Sequence, residues 1–151
     1  MYNVVLYNPE IPQNTGNIGR LCVSTNTKLH LIKPLSFDID DKAVRRAGLD
    51  YWKHLDLHIY EDWNDFLEKN PNATMYFFST KTEKIYWECP YEDESFFIYG
   101  SEGKGLPPEF YETYKDQLYT IPMQGEFCRS LNLANSVSIT LFEGIRLNAM
   151  K

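Results

Sequence analysis

Strand-like runs of apolar residues recur along the chain, and segments with helical signals separate them. The six runs cover residues 3–7, 28–32, 55–60, 74–79, 95–99 and 117–121. Strands that alternate with helices are typical of parallel sheets, because a parallel connection needs a long crossover that is usually helical. The pattern therefore predicts an α/β fold with a mainly parallel sheet flanked by helices.

Capping residues and apolar spacing predict the helices. The first is expected to begin near Asn14 or Thr15, either of which can cap a helix. Its apolar side is expected to carry Ile18, Leu21, Cys22 and Thr25. Further helices are predicted over residues 41–47 with Gly48 as terminator, over 62–69, and over 109–114 after a proline.

The last segment fits two secondary structures. Residues 136–141 alternate with a period of two and are rich in β-branched side chains, which favours a strand. Apolar residues also recur at every fourth position, at Leu133, Val137, Leu141 and Ile145. We predict a helix from this longer stripe.

The length of 151 residues and mass of 17.7 kDa suit one domain, residues 1–151. No apolar run approaches the roughly 20 residues of a membrane span. The sequence begins directly in a strand-like run, without the basic and small-residue features of a secretory signal. We expect a cytoplasmic protein without a membrane partner.

The formal net charge of −6 and pI near 5.0 argue against nucleic-acid binding through bulk electrostatics. Basic residues nevertheless cluster locally. One cluster holds Lys42, Arg45 and Arg46, and another holds Lys81 and Lys84. Each is interpreted either as a solvated surface or as a phosphate contact.

The sequence contains no pattern typical of a metal site. Its three cysteines lie far apart and form no C-x-x-C pair, so reduced thiols are expected. Cys128 lies beside Arg129, which could activate the thiol, but a small buried thiol is the commoner case. His54 and His58 would share a helix face, but the residues around His58 alternate like a strand, so no metal is predicted.

Three polar segments each lie where a strand gives way to a helix. They cover residues 8–20, rich in amides, 98–107, rich in glycine, and 121–135, which mixes small, amide and cationic residues. Ligands of open α/β sheets collect at the carboxyl ends of strands. The glycine-rich segment matches neither the P-loop nor G-x-G-x-x-G, and alone it could be a tight structural turn. Together the three segments predict a binding site.

These segments resemble the motifs of the minimal SPOUT superfamily, the knotted methyltransferases, and within it the tRNA wobble-nucleotide 2′-O-methyltransferases. The first motif matches residues 8–22, the second 100–107, and the third 121–123 followed by 129–136. Residues 40–51 are also like these small enzymes. The resemblance therefore spans nearly the whole chain.

The resemblance implies a C-terminal trefoil knot, a rare topology, and S-adenosylmethionine as the cofactor. The cofactor-binding residues implied by position are Phe78, Gly100, Glu102, Ile121, Ser130 and Leu131. The catalytic residues implied by position are Arg20, Arg129, Asn14 and Asn132. For Phe78, a place in the core of a strand is an equally good interpretation.

The implied reaction is methylation of a ribose 2′-hydroxyl in the anticodon stem-loop of tRNA by a homodimer. Arg20 is the implied base, although a guanidinium has a pKa above about 12 and no lone pair to offer while charged. Alternatively, Arg20 and Arg129 clamp a phosphate beside the target ribose. Four positions depart from the family pattern: Gly19, Ser101, Ala134 and Phe142.

Two other functions compete with this one. The same chemistry could act on another RNA such as rRNA, although the small size favours tRNA. The chain could also be a non-catalytic RNA-binding or assembly module, against which the presence of Arg20, Gly100, Arg129 and Asn132 weighs.

Overall fold

A computed structural model describes the backbone of residues 1–150 and the side chains of residues 1–47 and 51–150. Of the predicted domain 1–151, Lys151 lies outside the described residues. The strands are β1 (Asn3–Tyr7), β2 (Lys28–Ile32), β3 (Leu57–Tyr60), β4 (Met75–Phe78), β5 (Phe96–Tyr99) and β6 (Leu118–Tyr119). They form one parallel sheet in the order β3-β2-β1-β5-β4-β6. The predicted α/β class is confirmed.

The described part of the chain has five α-helices, of which four lie between strands and the fifth follows β6. They are α1 (Pro12–Ser24), α2 (Lys42–Gly48), α3 (Trp63–Lys69), α4 (Phe110–Thr113) and α5 (Leu133–Ala149). Short 3-10 helices cover Leu49–His54, Tyr86–Glu88 and Lys115–Gln117. The helical interpretation of the last segment is therefore confirmed. No helix in the described ranges is long and apolar enough to cross a membrane.

Apolar residues of the sheet divide between two cores because successive side chains of a strand point to opposite faces. Val4 of β1 joins a core that contains Ile18 of α1 and Leu141 of α5. Its neighbour Val5 joins a second core with Phe66 of α3. The sheet is thus the middle of three layers.

The predicted start of α1 is wrong. The helix begins at Pro12, and its N-cap residue Ile11 makes no side-chain cap. Proline suits the first helical position because that position needs no N–H donor and proline fixes a helical φ. Asn14 and Thr15 are buried inside the helix.

Helix α2 ends at Gly48, as predicted, although the glycine is its last residue and not the one after it. The helix includes Gly48, and the chain continues directly into the 3-10 helix Leu49–His54. This 3-10 helix packs against α1 at Gly19, where a Cβ atom would lie 2.6 Å from Trp52 Cζ3. The α-helix therefore stops at the glycine, and packing on α1 holds the 3-10 helix that follows it.

The other predicted boundaries differ by small amounts. Strands β1 and β2 match their predicted limits, β3 begins at Leu57, and β6 is confined to Leu118–Tyr119. Helix α3 begins after the capping residue Asp62, whose side chain accepts a hydrogen bond from the Asp65 amide. The trefoil knot stays a prediction.

Candidate active site

A cavity of about 480 Å³ lies at the carboxyl ends of β4, β5 and β6. This volume lies within the range of about 300–1,000 Å³ that is usual for small-molecule sites. Apolar lining residues include Leu106, Ile121 and Leu131, and polar ones include Ser130 and Asn132. The cavity is at the sheet edge where ligands of α/β proteins bind.

The structure brings most of the predicted site residues to this cavity. The ones that line it are Asn14, Phe78, Gly100, Glu102, Ile121, Ser130, Leu131 and Asn132. Arg20 and Arg129 are not among the lining residues of the described chain. The functional roles of all ten residues stay predictions.

Gly100 makes the turn after β5 possible. A Cβ atom at this position would lie 2.1 Å from the backbone carbon of Gly105 and 2.3 Å from the amide nitrogen of Leu106. The turn is closed by a hydrogen bond of 2.9 Å from the Gly105 amide to the Ser101 carbonyl. Gly105 has a φ of 70°, which side chains rarely adopt. Glycine at position 100 therefore allows the folded-back loop that forms one wall of the cavity.

A chain of hydrogen bonds joins the three polar segments. The Asn14 amide group donates to Glu102 Oε2 at 3.2 Å. The Asn132 amide group donates to Asn14 Oδ1 at 2.9 Å. Asn14, at the centre of this chain, is 5% exposed, so both bonds are partly buried. Segments distant in sequence are thus fixed relative to one another at the mouth of the cavity.

Glu102 also binds the backbone at the start of α1. Its carboxylate accepts hydrogen bonds of 2.9 Å from the amides of Glu10 and Ile11. These amides belong to a helix N-terminus, where a negative charge is favourable. Glu102 therefore fixes the segment just before α1 and places its carboxylate at the N-terminus of the helix.

Glu10 makes the reciprocal contact, from the first polar segment to the glycine-rich loop. Its carboxylate accepts a hydrogen bond of 2.8 Å from the Gly103 amide. That bond, with a further one from the Ser101 side chain, lowers the pKa of Glu10. The two loops therefore hold each other through reciprocal carboxylate–amide contacts.

Two stacked aromatic rings support the floor of the cavity. The rings of Phe78 and Tyr99 lie 5.3 Å apart at an interplanar angle of 17°. The Tyr99 hydroxyl hydrogen-bonds Thr140 Oγ1 at 2.5 Å, and burial raises the Tyr99 pKa. Phe78 belongs to the core and also lines the cavity, so both interpretations of this residue describe its position.

Several polar groups of the lining have no partner within the protein. Among the described residues, no hydrogen bond or ion pair engages the side chains of Thr80, Lys81, Ser130 or Ser136. The first turn of α5 lies beside them, with Asn132 accepting from the Asn135 amide at 3.3 Å. Unused donors at a helix N-terminus favour an electron-rich ligand.

The sequence prediction missed part of this wall. Ser79, Thr80 and Tyr111 line the cavity without having been predicted, and Ser136 lines it too, although it was only included in the third motif and not named as a site residue. For Ser79 and Thr80, a usable signal was present, because they follow β4 directly at the carboxyl edge of the sheet. The sequence held no such signal for Tyr111, because its position in the cavity wall depends on how α4 packs.

The two predicted arginines lie on the surface. The Arg20 guanidinium carbon is 5.3 Å from the centre of the Tyr51 ring. Arg129 donates to the Met123 carbonyl at 3.1 Å, within its own loop. Their neighbour Cys128 is exposed and contacts the Ser130 carbonyl at 3.2 Å. Exposed cations outside the cavity can contact a substrate that covers its mouth.

The basic clusters differ in their surroundings. Lys81 lines the cavity, whereas Lys84 donates to the Asp116 carbonyl at 2.8 Å. Arg45 pairs with Asp40 at 2.8 Å on the surface. Among the described residues, no group of three or more His, Cys, Asp or Glu side chains is arranged to hold a metal ion.

The sequence and the fold are both similar to those of known proteins. The chain matches the SpoU rRNA Methylase family over residues 1–142. A Burkholderia cenocepacia (strain HI2424) protein named tRNA (cytidine(34)-2′-O)-methyltransferase is 42% identical over 97% of this chain and 95% of its own. The motif resemblance is confirmed by these matches.

Solved structures give the same result. One of them is described as structural insights into the 2-OH methylation of C/U34 on tRNA. It matches this chain with a TM-score of 0.94 and 38% sequence identity, and the match covers 100% of this chain and 98% of that chain. The SpoU methyltransferase AviRb from Streptomyces viridochromogenes, in complex with AdoMet, has a TM-score of 0.85 at 19% identity, over 97% of this chain and 57% of its own. Because the sequence identity to AviRb is only 19%, this second similarity is evidence of a shared fold alone.

Proposed function

This chain belongs to the SpoU rRNA methylase family, and we propose that it uses S-adenosylmethionine to methylate the ribose 2′-hydroxyl of the wobble nucleotide, position 34, of tRNA. The names of its relatives support the choice of substrate. The observation that carries the proposal is the joining of all three motif segments at one cavity through Asn14.

The cavity residues suit S-adenosylmethionine. Phe78, Ile121 and Leu131 offer apolar surface for the adenine ring, while the turn at Gly100 lets backbone groups approach a ligand closely. The unpaired Lys81 ammonium and Ser130 hydroxyl suit the carboxylate of the methionine part. When bound, the cofactor supplies an electrophilic methyl group.

The protein's own task is to place the ribose hydroxyl in line with that methyl group. Correct placement of two reactants can supply much of a rate acceleration. Arg20 suits phosphate binding better than proton abstraction, because its guanidinium stays charged and offers only donors. A water molecule or a neighbouring side chain then accepts the hydroxyl proton.

The substitution Arg20→Lys separates the two proposed roles of Arg20. A phosphate clamp predicts weaker RNA binding, since lysine lacks the planar fork of donors. A base predicts unchanged RNA affinity with turnover that recovers at raised pH. The second result would exclude the clamp.

A homodimer would complete the site. Arg20 lies outside the cavity of its own protomer, so a partner's first motif could supply an arginine to the cavity beside Lys81. Ile139 and Phe142 form an exposed apolar stripe on α5, 36% and 52% exposed, which suits an interface. Light scattering should give a dimer, and an active monomer would refute the shared site.

The proposed compartment is the cytoplasm. Cys22 and Cys89 are buried, Cys128 is exposed, and all three are free thiols. Free thiols are usual in a reducing compartment, where tRNA is also available.

Mapping of ribose methylation tests the function. Purified protein, S-adenosylmethionine and total RNA are incubated, and 2′-O-methyl sites are located by mass spectrometry of nuclease fragments. We expect a new methyl group on the ribose of tRNA position 34. Methylation of rRNA alone would contradict the tRNA substrate. Absence of cofactor binding by calorimetry, with and without RNA, would instead indicate a non-catalytic module.

A further inference from the structure

Gly19 and Trp52 fit together in a way that fixes the 3-10 helix Leu49–His54 against α1. A Cβ atom on Gly19 would lie 2.6 Å from Trp52 Cζ3 and 3.1 Å from Cε3. Here the missing side chain leaves room for the indole ring, which packs directly on the helix backbone.

The neighbouring residues form a second contact. Tyr51 precedes Trp52 and Arg20 follows Gly19, and the Arg20 guanidinium carbon lies 5.3 Å from the centre of the Tyr51 ring. This distance is within the range of a cation–π interaction, below about 6 Å. The seating of Trp52 on Gly19 therefore determines where the Tyr51 ring meets Arg20.

The Arg20 side chain has no carboxylate partner in the described part of the chain. No ion pair includes it, and no hydrogen bond of its guanidinium is formed there. A carboxylate would occupy the N–H donors and neutralise the charge. An aromatic ring attracts the cation through its π face and leaves the donors in the guanidinium plane available.

From this geometry we infer that Tyr51 is a positioning residue, which holds the Arg20 guanidinium ready to bind a phosphate of the RNA substrate. The inference rests on the proposed function, since it assigns a partner to the RNA-binding arginine of that site. Tyr51 is 42% exposed, so its ring is accessible beside Arg20. Trp52 and Gly19 act one step further away, by holding Tyr51.

The test measures the affinity of the dimer for an anticodon stem-loop RNA by fluorescence anisotropy. Tyr51→Leu should weaken binding by about two- to fivefold, the scale of an exposed cation–π contact. Tyr51→Phe should restore it, because the ring remains. Steady-state kinetics should show a raised KM for tRNA with unchanged kcat, and affinity for S-adenosylmethionine should not change.

A double-mutant cycle with Arg20→Ala isolates the pair. If Tyr51 acts through Arg20, Tyr51→Leu has no further effect on RNA affinity once Arg20 is removed. Gly19→Ala, which displaces the indole ring, should weaken RNA binding in the same way as Tyr51→Leu. Trp87→Leu is the matched control, because Trp87 is 56% exposed and lies outside this contact.

Independent effects of Tyr51→Leu and Arg20→Ala would overturn the inference while leaving the proposed function intact, provided that the wild type methylates tRNA. Failure of Tyr51→Phe to restore binding would also overturn it. If the wild type neither binds nor methylates tRNA, both the proposed function and the inference fail.

Discussion

The two ends of the sheet carry polar groups of similar kinds and use them in opposite ways. At the amino ends, a groove of about 800 Å³ is lined by Asn3, His30, Tyr60 and Asn70. These four side chains, called the His30 network below, are hydrogen-bonded to one another or to the backbone. At the carboxyl ends, the smaller cavity has donors that find no partner among the described residues. Polar composition alone therefore does not distinguish a structural cluster from a binding site, whereas pairing does.

The donor and the acceptor of each hydrogen bond in the His30 network can be assigned. Asn3 donates through its amide group to the Glu94 carbonyl at 3.1 Å, so its oxygen is the acceptor for His30 Nε2 at 2.9 Å. His30 Nδ1 then accepts from the Tyr60 hydroxyl at 2.9 Å. The ring is 3% exposed and neutral, and burial, followed by the charges of His58 and Lys28, lowers its pKa to about 3. Such a network stabilises the fold, and its own polar groups are already paired.

Gly100→Ala should have the largest effect, at the carboxyl end. The new methyl group would meet backbone atoms at 2.1 Å and 2.3 Å, which cannot move without opening the turn. We expect affinity for S-adenosylmethionine to fall about 100-fold, measured by calorimetry, and the free energy of unfolding to fall by about 3 kcal/mol.

Gly125→Ala is its matched control. A Cβ atom there would lie 3.4 Å from the nearest atom, the Cys128 carbonyl oxygen, which is ordinary contact. Equal cofactor affinity in the Gly100 and Gly125 variants would contradict the proposed cavity wall.

His30→Leu should affect stability and leave cofactor binding unchanged. The substitution leaves the Asn3 oxygen and the Tyr60 hydroxyl without their buried partner. Denaturant unfolding should show a loss of about 2 kcal/mol. His58→Leu, at a half-exposed position, should cost less than about 1 kcal/mol. Weaker binding of S-adenosylmethionine to folded His30→Leu protein would contradict the claim that the amino ends of the strands are structural and the carboxyl ends bind the cofactor.

The His30 network also predicts how stability depends on pH. Unfolded His30 has the ordinary pKa of about 6.5, whereas the pKa in the folded protein is lowered to about 3. Between these values the unfolded chain binds the extra proton, so stability is lost as the pH falls below about 6.5. Unfolding free energy should fall by about 1 kcal/mol from pH 6 to pH 5.

His30→Gln removes this titration and provides the comparison. The difference in unfolding free energy between the wild type and His30→Gln should become smaller as the pH falls from 6 to 5. A constant difference would show that His30 has an ordinary pKa in the folded protein.

Ser130→Ala should have the smallest effect. Its hydroxyl lines the cavity and has no partner in the described part of the chain. Loss of one neutral hydrogen bond to the ligand should weaken S-adenosylmethionine binding about threefold, measured by calorimetry. Ser138→Ala serves as control, because that hydroxyl already donates to the Ala134 carbonyl at 3.0 Å. A larger loss from Ser138→Ala would contradict the assignment.

The sequence predicted the elements whose signals are local. Short apolar runs located β1 and β2, and apolar spacing of four located α5. The start of α1 was missed although Pro12, which suits the first helical position, is a local signal of it. The contact of Glu102, about 90 residues away along the chain, with the two amides just before the helix was not predicted either. Such a contact has no trace in the local sequence.

The sequence also predicted only part of the candidate site. The three segments were identified because each mixes glycine, amide or cationic residues at the end of a strand. The link through Asn14 was not predicted, since it needs three segments in contact. His30 was overlooked entirely, although a histidine between two leucines in a strand is a signal of a buried, paired ring.

The most direct test of the contrast between the two ends is a titration of S-adenosylmethionine followed by backbone amide chemical shifts. The account predicts that the largest shifts fall at residues 78–81, 100–106 and 120–136, around the cavity. Amides of Asn3, His30, Tyr60 and Asn70 should stay within experimental error. Shifts concentrated around His30, with the glycine-rich loop unaffected, would contradict the placement of the cofactor at the carboxyl ends of the strands.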